Sequence, residues 1–163
     1  MTQAVLSIGS NQGDRLAALQ GAVARFRPWL AAVSQVYETP PWGPVPQDPY
    51  LNAVLLVTDP GAAAQDWLTR AWAAEQGAGR TRELRWGPRS LDVDVVTVDD
   101  VRSTDPELTL PHPRAAGRAF VLVPWLALDP GAVLGGEPVR SLVAALSPAE
   151  VAGVRRHAEL VLQ

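Results

Sequence analysis

Between positions 40 and 49 the chain carries five prolines, within the run TPPWGPVPQDPY from Thr39 to Tyr50. Each proline fixes φ and removes a backbone donor, so neither helix nor strand can run through such a stretch. The segment must be an irregular loop of about a dozen residues, a length at which loops are usually functional or disordered. Two flanking aromatics, Trp42 and Tyr50, favour an ordered one. Any fold must therefore be assembled from regular elements on either side of this loop.

Those elements are readable from periodicity. Ala4 to Ile8 is a short apolar run broken by Gly9-Ser10-Asn11, a strand entering a turn. Leu16, Leu19, Val23, Phe26 and Leu30 form one helical stripe, with Asp14 at the positive end of the helix dipole and Pro28 fraying the far end. Val33 to Thr39 predicts a second strand and Leu51 to Thr58 a third, closed by Asp59-Pro60-Gly61. A helix is expected over 62–78, with Ala64, Leu68, Ala71 and Trp72 along its buried stripe. Glu75 continues that stripe at i+7 from Leu68; it either snorkels out of the edge or has a use for its charge. Leu91 to Val98 sets Leu91, Val93 and Val95 against Asp92, Asp94 and Val96, the clearest strand in the chain, and Asp99-Asp100 turns it. A loop through Pro111-His112-Pro113, an apolar segment from Phe120 to Leu128 and a last helix around 149–157 complete the pattern. The order β-α-β-β-α-β predicts an α+β, ferredoxin-like fold. Its sheet would be mostly antiparallel, with helices on one face and additional C-terminal elements.

At 163 residues, 47% of them hydrophobic and 19% charged, the chain has the material for one folded domain over 1–163. It has no cysteine, which excludes disulfides, thiolate metal sites and cysteine nucleophiles. All 14 basic residues are arginine, which excludes a P-loop lysine, a Schiff base and a lysine general base. Any anion must be held by arginine forks. The net charge of −3 argues against nucleic-acid and membrane-surface partners. No spanning stretch and no signal peptide are visible, so a cytoplasmic protein is expected.

Asp92 and Asp94 project from one face of their strand, about 6.6 Å apart. Side by side they repel, and a Mg²⁺ ion, which prefers carboxylate oxygens, would relieve the conflict. The alternative is a solvated acidic face. Arg80, Arg82, Arg85 and Arg89 lead into the pair with Trp86 among them. Guanidinium groups on one side and a metal on the other suit a polyphosphate, and the indole offers a base or cation a face; an exposed basic loop is the plainer reading. His112, between two prolines, and Arg118 could reach a phosphate oxygen, although a lone histidine is more often structural. Gly9 to Gly13 joins a strand to a helix, but lacks the phosphate-loop pattern; it reads first as turn and cap chemistry and second as a close backbone approach to a ligand.

Five blocks in order, GSNQGD (9–14), YETPPWG (37–43), YLNAV (50–54), GRTRELRWGPRSLDVDVV (79–96) and LTLPHPRAAGRAFVLVP (108–124), carry a resemblance over nearly the whole chain. The sequence resembles the 6-hydroxymethyl-7,8-dihydropterin pyrophosphokinases of folate biosynthesis. The resemblance implies transfer of pyrophosphate from ATP to the pterin hydroxymethyl group, releasing AMP, with Arg82, Arg89, Asp92 and Asp94 as catalytic residues. It implies two Mg²⁺ ions, bound with ATP on Asp92 and Asp94. It implies a pterin held by Tyr50, Asn52, Phe120 and the Thr39, Pro40, Pro41 and Trp42 loop. ATP would be held by Glu75, Arg82, Trp86, Arg89, Thr109, His112 and Arg118, in a monomer with small-molecule partners only. Trp72 stands where a glutamine is often seen, and Glu107 where some members carry arginine. No general base stands out; Asp94 is the nearest candidate. Two rivals are a noncatalytic ligand- or RNA-binding module on the same fold and a kinase that releases ADP. An RNA-reading sheet would want exposed aromatics and a basic face where this one offers acids.

Overall fold

The computed structural model describes residues 2–40, 46–78, 90–158 and 160–162. Strand β1 (Thr2–Ser10) leads into helix α1 (Arg15–Phe26), whose N-cap Asp14 accepts the Ala17 N–H at 3.0 Å. Leu19, Val23 and Phe26 are buried along α1 as the stripe requires. Pro28 has no N–H to continue the helix, and residues Arg27–Trp29 form a single 3₁₀ turn.

The expected strand over 33–39 is instead two: β2 (Leu30–Val33) and β3 (Tyr37–Thr39), both paired antiparallel to β4 (Tyr50–Asp59). The break has a local cause. Ser34 is buried; its N–H donates to the Val54 carbonyl at 2.9 Å, and its Oγ accepts the Val54 N–H at 2.9 Å. A side chain thus takes a ladder position, the strand bulges, and Val36 and Tyr37 are consecutively buried where alternation would expose one.

Helix α2 (Ala64–Gly77) buries Trp67, Leu68, Ala71, Ala74 and Glu75. The stripe read from sequence is corrected at Trp72, which is 38% exposed, while Trp67 is fully buried in its place. Trp67 meets Trp29 edge-on with ring centroids 6.1 Å apart, and the Arg70 guanidinium lies 3.8 Å from the Trp29 ring while pairing with Asp59 at 2.8 Å. These contacts knit the 3₁₀ turn after α1, helix α2 and β4 at the end of the sheet away from the aspartates.

Strand β5 (Asp92–Val98) completes the sheet, in the order β3-β4-β1-β5 with every pairing antiparallel. A short hairpin, β6 (Ser103–Asp105) and β7 (Leu108–Leu110), stands where only a loop is expected from sequence. The apolar segment after it is helix α3 (Ala119–Leu128), followed by the two-residue strands β8 (Val133–Leu134) and β9 (Glu137–Pro138). The last helix expected over 149–157 is also corrected. Residues Val139–Ala145 form α4, Pro148–Gly153 form α5, and Arg155–Arg156 form a final strand, β10, on β3. Ser147 caps α5 by accepting the Glu150 N–H, and α5 is short, ending before the Arg155-Arg156 pairing begins.

Strand parity sorts the two faces of this sheet. Ala4, Leu6 and Ile8 of β1, Leu51, Ala53, Leu55 and Val57 of β4, and Val93 and Val95 of β5 meet α1 and α2 in one core. The opposite parity gives Val5, Val54 and Val96, which pack against Val121, Leu122 and Trp125 of α3 in a second core. The two helices of the βαββαβ core therefore lie on one face, as expected, and the C-terminal helices cover part of the other. Replacing Ser34 with alanine leaves the buried Val54 N–H without its acceptor and should cost about 1–3 kcal/mol. Urea unfolding measures this; a change below about 0.5 kcal/mol, the range of neutral surface substitutions, would contradict the role given to Ser34.

Candidate functional site

The second core fills only half of its face. On the rest, the same parity presents small and polar residues: Ser7 and Gly9 from β1, Tyr50 and Asn52 from β4, Thr39 from β3, and Asp92 and Asp94 from β5. In the β1 register Gly9 lies opposite both Asn52 and Asp92, and Ser7 opposite both Val54 and Asp94. These residues floor a cavity of about 900 Å³. Its walls come from Pro40, the loop from His112 to Phe120, and Glu150 and Gly153 of α5.

Close fit is visible at the centre of that floor. Asn52 is 2% exposed and donates from Nδ2 to Thr39 Oγ1 at 2.7 Å. A Cβ on Gly9 would stand 2.9 Å from Asn52 Oδ1, too close for the amide to stay where it is, while the Tyr50 ring at 3.5 Å would be in ordinary contact. Asn11, also buried, donates to the Gln47 side chain and to the Asp48 carbonyl, anchoring the end of the proline-rich loop to the end of β1.

A second cavity of about 300 Å³ lies between α2 and the β6–β7 hairpin. Leu68, Trp72 and Glu75 line it from α2 at i, i+4 and i+7, and Glu107, Leu108 and Thr109 line it from the hairpin. Val93 and Val95 contribute from β5. Asp94, His112 and Pro113 line both cavities, so the two spaces meet at Asp94.

Glu75 is 5% exposed, and its Oε2 accepts the Val93 N–H at 2.9 Å. It does not snorkel; it holds the backbone of β5 midway between Asp92 and Asp94. The two aspartates are half-buried, and Arg118 Nη1 stands 3.4 Å from Asp94 Oδ2. That pair is partly solvated and therefore weak, which leaves the guanidinium able to exchange its partner for an anionic ligand. The same guanidinium carbon lies 5.5 Å from the Phe120 ring centroid, a cation–π distance.

His112 Nδ1 accepts the Arg114 N–H at 3.2 Å, which places the proton of the neutral ring on Nε2. Burial, then the Arg118 and Arg114 charges, lower its pKa to about 4. The ring is thus neutral at pH 7, a hydrogen-bond donor without charge.

Of the residues expected from sequence, Thr39, Pro40, Tyr50, Asn52, Asp92, Asp94, His112, Arg118 and Phe120 line the larger cavity, and Glu75, Thr109, Asp94 and His112 the smaller. Pro41, Trp42, Arg82, Trp86 and Arg89 lie outside the described residues, as do Arg80 and Arg85. Sequence reasoning missed Ser7 and the α5 wall, and read Gly9 first as part of a turn. Ser7 and Gly9 carried a signal, since small and polar residues alternate there with the buried Leu6 and Ile8. The α5 wall carried none, because it is brought to the site by contacts distant in sequence, with α3 and Pro40 and through the β10–β3 pairing. His157, which reads as an ordinary surface residue, also belongs to that closure: its N–H donates to the Val36 carbonyl at 2.8 Å, and its Nε2 lies 3.5 Å from Glu38 Oε2.

Among the described residues no cluster of three or more histidine, aspartate or glutamate side chains could hold a metal by itself. Two hard carboxylates on one face do fit Mg²⁺, which takes few protein ligands and completes its shell with water and phosphate oxygens.

Residues 5–130 match the protein family described as 7,8-dihydro-6-hydroxymethylpterin-pyrophosphokinase (HPPK). The chain is 46% identical to the 2-amino-4-hydroxy-6-hydroxymethyldihydropteridine pyrophosphokinase of Mycobacterium bovis, over 95% of this chain and 89% of that protein. It is 48% identical to that of Mycobacterium leprae, over 95% and 88%, and 41% identical to that of Methylorubrum extorquens, over 93% and 98%. Among solved structures, Plasmodium falciparum HPPK-DHPS wild type with pteroate superposes with a TM-score of 0.67 at 11% identity, a likeness of fold. It covers 88% of this chain and 44% of the Plasmodium one, so the chain spans less than half of that longer protein.

Two expectations follow. Gly9→Ala should displace the buried Asn52 amide from Thr39 Oγ1, read as a shift of the Asn52 Nδ2 proton resonances by NMR; unchanged resonances would contradict the close fit. His112 should titrate near pH 4 by NMR, and Arg118→Ala should raise its midpoint. Because the folded pKa lies below the usual value of about 6.5, the stability linked to this ring is complete above pH 6.5 and lost as pH falls toward 4. A midpoint at or above 6.5 would contradict the assigned environment.

Proposed function

The chain belongs to the 7,8-dihydro-6-hydroxymethylpterin-pyrophosphokinase family, and on that premise we propose how its two cavities divide the substrates. It transfers the pyrophosphoryl group of ATP to hydroxymethyldihydropterin in folate biosynthesis. The observation that supports our division is that two cavities of different character share Asp94 and His112.

The larger cavity takes the pterin. Tyr50 and Phe120 supply ring faces, Asn52 supplies an amide fixed by Thr39, and Pro40 belongs to the loop that continues through Pro41 and Trp42. The smaller cavity takes ATP, with Thr109 on one wall and Glu75 on the other, and the triphosphate runs toward Asp94, His112 and Arg118. Arg82, Trp86 and Arg89 are the remaining nucleotide-binding residues in this reading, with Arg82 and Arg89 among the catalytic ones. Asp92 and Asp94 would hold Mg²⁺, two ions in our reading, together with the nucleotide. Magnesium there would supply charge neutralisation along the triphosphate and so ease displacement at the β-phosphorus.

The chain's own work is then positioning. The hydroxymethyl oxygen, presented over the aspartate pair, attacks the β-phosphorus as the bond to the α–β bridging oxygen breaks and AMP departs. Arg118 leaves Asp94 for a phosphate oxygen, and the Nε2–H of neutral His112 donates to another. Asp94 is our candidate acceptor for the hydroxyl proton. Both cavities are lined by one chain, so a monomer completes the site. No helix among the described residues is long and apolar enough to cross a membrane. We read the protein as a cytoplasmic monomer formed of one domain over 1–163.

Incubation with ATP, Mg²⁺ and 6-hydroxymethyl-7,8-dihydropterin should release AMP in step with pterin diphosphate; pterin-dependent ADP would contradict the reaction. Asp92→Asn and Asp94→Asn should each lower kcat/KM at least about 100-fold, with an unchanged thermal unfolding profile because both side chains are half-exposed. Near-full activity in either variant would remove that residue from the metal site.

A further inference from the structure

Among the described residues, two arginines line the larger cavity, Arg114 and Arg118. Arg118 stands 3.4 Å from Asp94, whereas Arg114 is exposed and has no acidic partner among the described residues. Glu150, the acid on the α5 wall, takes the Ser147 hydroxyl instead. The loop that carries Arg114 is nonetheless fixed. Its N–H donates to His112 Nδ1 at 3.2 Å, its carbonyl accepts the Gly117 N–H at 3.1 Å, and the next residue, Ala115, is buried. The guanidinium stands near enough to His112 for its charge to help lower that ring's pKa. Arg114 lines the larger cavity and not the smaller, so its charge is offered on the pterin side of the place where the two meet.

What that side holds differs before and after transfer. Hydroxymethyldihydropterin is an uncharged alcohol, and the charge of the triphosphate enters from the smaller cavity. Once the pyrophosphoryl group has moved, the occupant of the larger cavity is a diphosphate ester. A cation on that wall therefore meets its counter-charge only in the product. A guanidinium suits the task, because its planar fork matches phosphate oxygens in pairs. We infer that Arg114 binds the diphosphate group of the product, pterin diphosphate. The inference rests on the pterin occupying the larger cavity. It makes Arg114 a determinant of product affinity that neither substrate shares.

The experiment measures inhibition by added 6-hydroxymethyl-7,8-dihydropterin diphosphate, as Ki, alongside KM for ATP and for the pterin, all at pH 8. At that pH His112 is neutral with or without the Arg114 charge, since its usual value is about 6.5. In Arg114→Gln, Ki should rise at least about fivefold, with both KM values within twofold of those of the unsubstituted protein. Arg114→Lys, which keeps the charge and loses the fork, should recover part of that loss. Because the contact is exposed, the gap between Arg114→Gln and the unsubstituted protein should narrow as NaCl is raised. A Ki within twofold in Arg114→Gln would overturn the inference and leave the reaction intact, since AMP would still form. A pterin KM that rises in step with Ki would also overturn it, showing that Arg114 shapes the cavity for any pterin. If the unsubstituted protein releases no AMP, the functional reading fails first and this contact with it.

Discussion

Strand β5 stands at the edge of the described sheet, and an edge strand has backbone groups with no ladder partner. Two of them are captured from outside the sheet. The Val93 N–H donates to the buried carboxyl group of Glu75 at 2.9 Å, and the Val96 carbonyl accepts the His112 N–H at 2.8 Å. The first bond binds β5 to α2 between the two aspartates. The second binds β5 to the loop that carries His112, with Arg118 and Phe120 beyond it. Both site walls are thereby referenced to the strand that carries the acids. A buried carboxyl group is costly unless its hydrogen bonds are made, so breaking the bond to Val93 adds a cost to any displacement of β5 from α2.

From that anchoring the rest follows by alternation. Once β5 is fixed against β1, parity sends Val93 and Val95 to the α1–α2 core and Asp92 and Asp94 to the other face. The bulge between Val5 and Leu6 in the β1–β5 register lets the next part of β5 change its offset, so that Val96 joins the second core and Val98 returns to the first. Helix α3 covers the Val5, Val54 and Val96 end of this face. The uncovered end is where Gly9, Asn52 and the aspartates meet. One sheet face is thus divided between packing and chemistry, and the division is set by where α3 ends and not by any change in the strands.

Much of this was legible in the residues. The aspartate pair, the α1 stripe and the βαββαβ order follow from local periodicity, because period 2 and period 3.6 leave their mark over a few residues. What escaped was decided by contacts distant in sequence. Ser34 breaks a strand because its hydroxyl meets Val54, 20 positions away. Trp72 and Trp67 differ by five positions, and helical spacing alone did not reveal which one faces the sheet. The α5 wall depends on Arg155 and Arg156 pairing with Tyr37 and Glu38, which no local pattern announces. Glu75 was visible as an anomaly on a buried stripe, but its partner is a backbone N–H, and a backbone group leaves no sequence signature.

The central claim is that the Glu75 carboxyl group holds the acidic edge strand in place. Amide hydrogen exchange at Val93 reads it directly. The account predicts that this edge amide exchanges nearly as slowly as the amides of β1 in the unsubstituted protein. In Glu75→Ala it should exchange at least tenfold faster, while the β1 amides are unaffected. Fast exchange at Val93 in the unsubstituted protein, or slow exchange that survives the loss of Glu75, would contradict it.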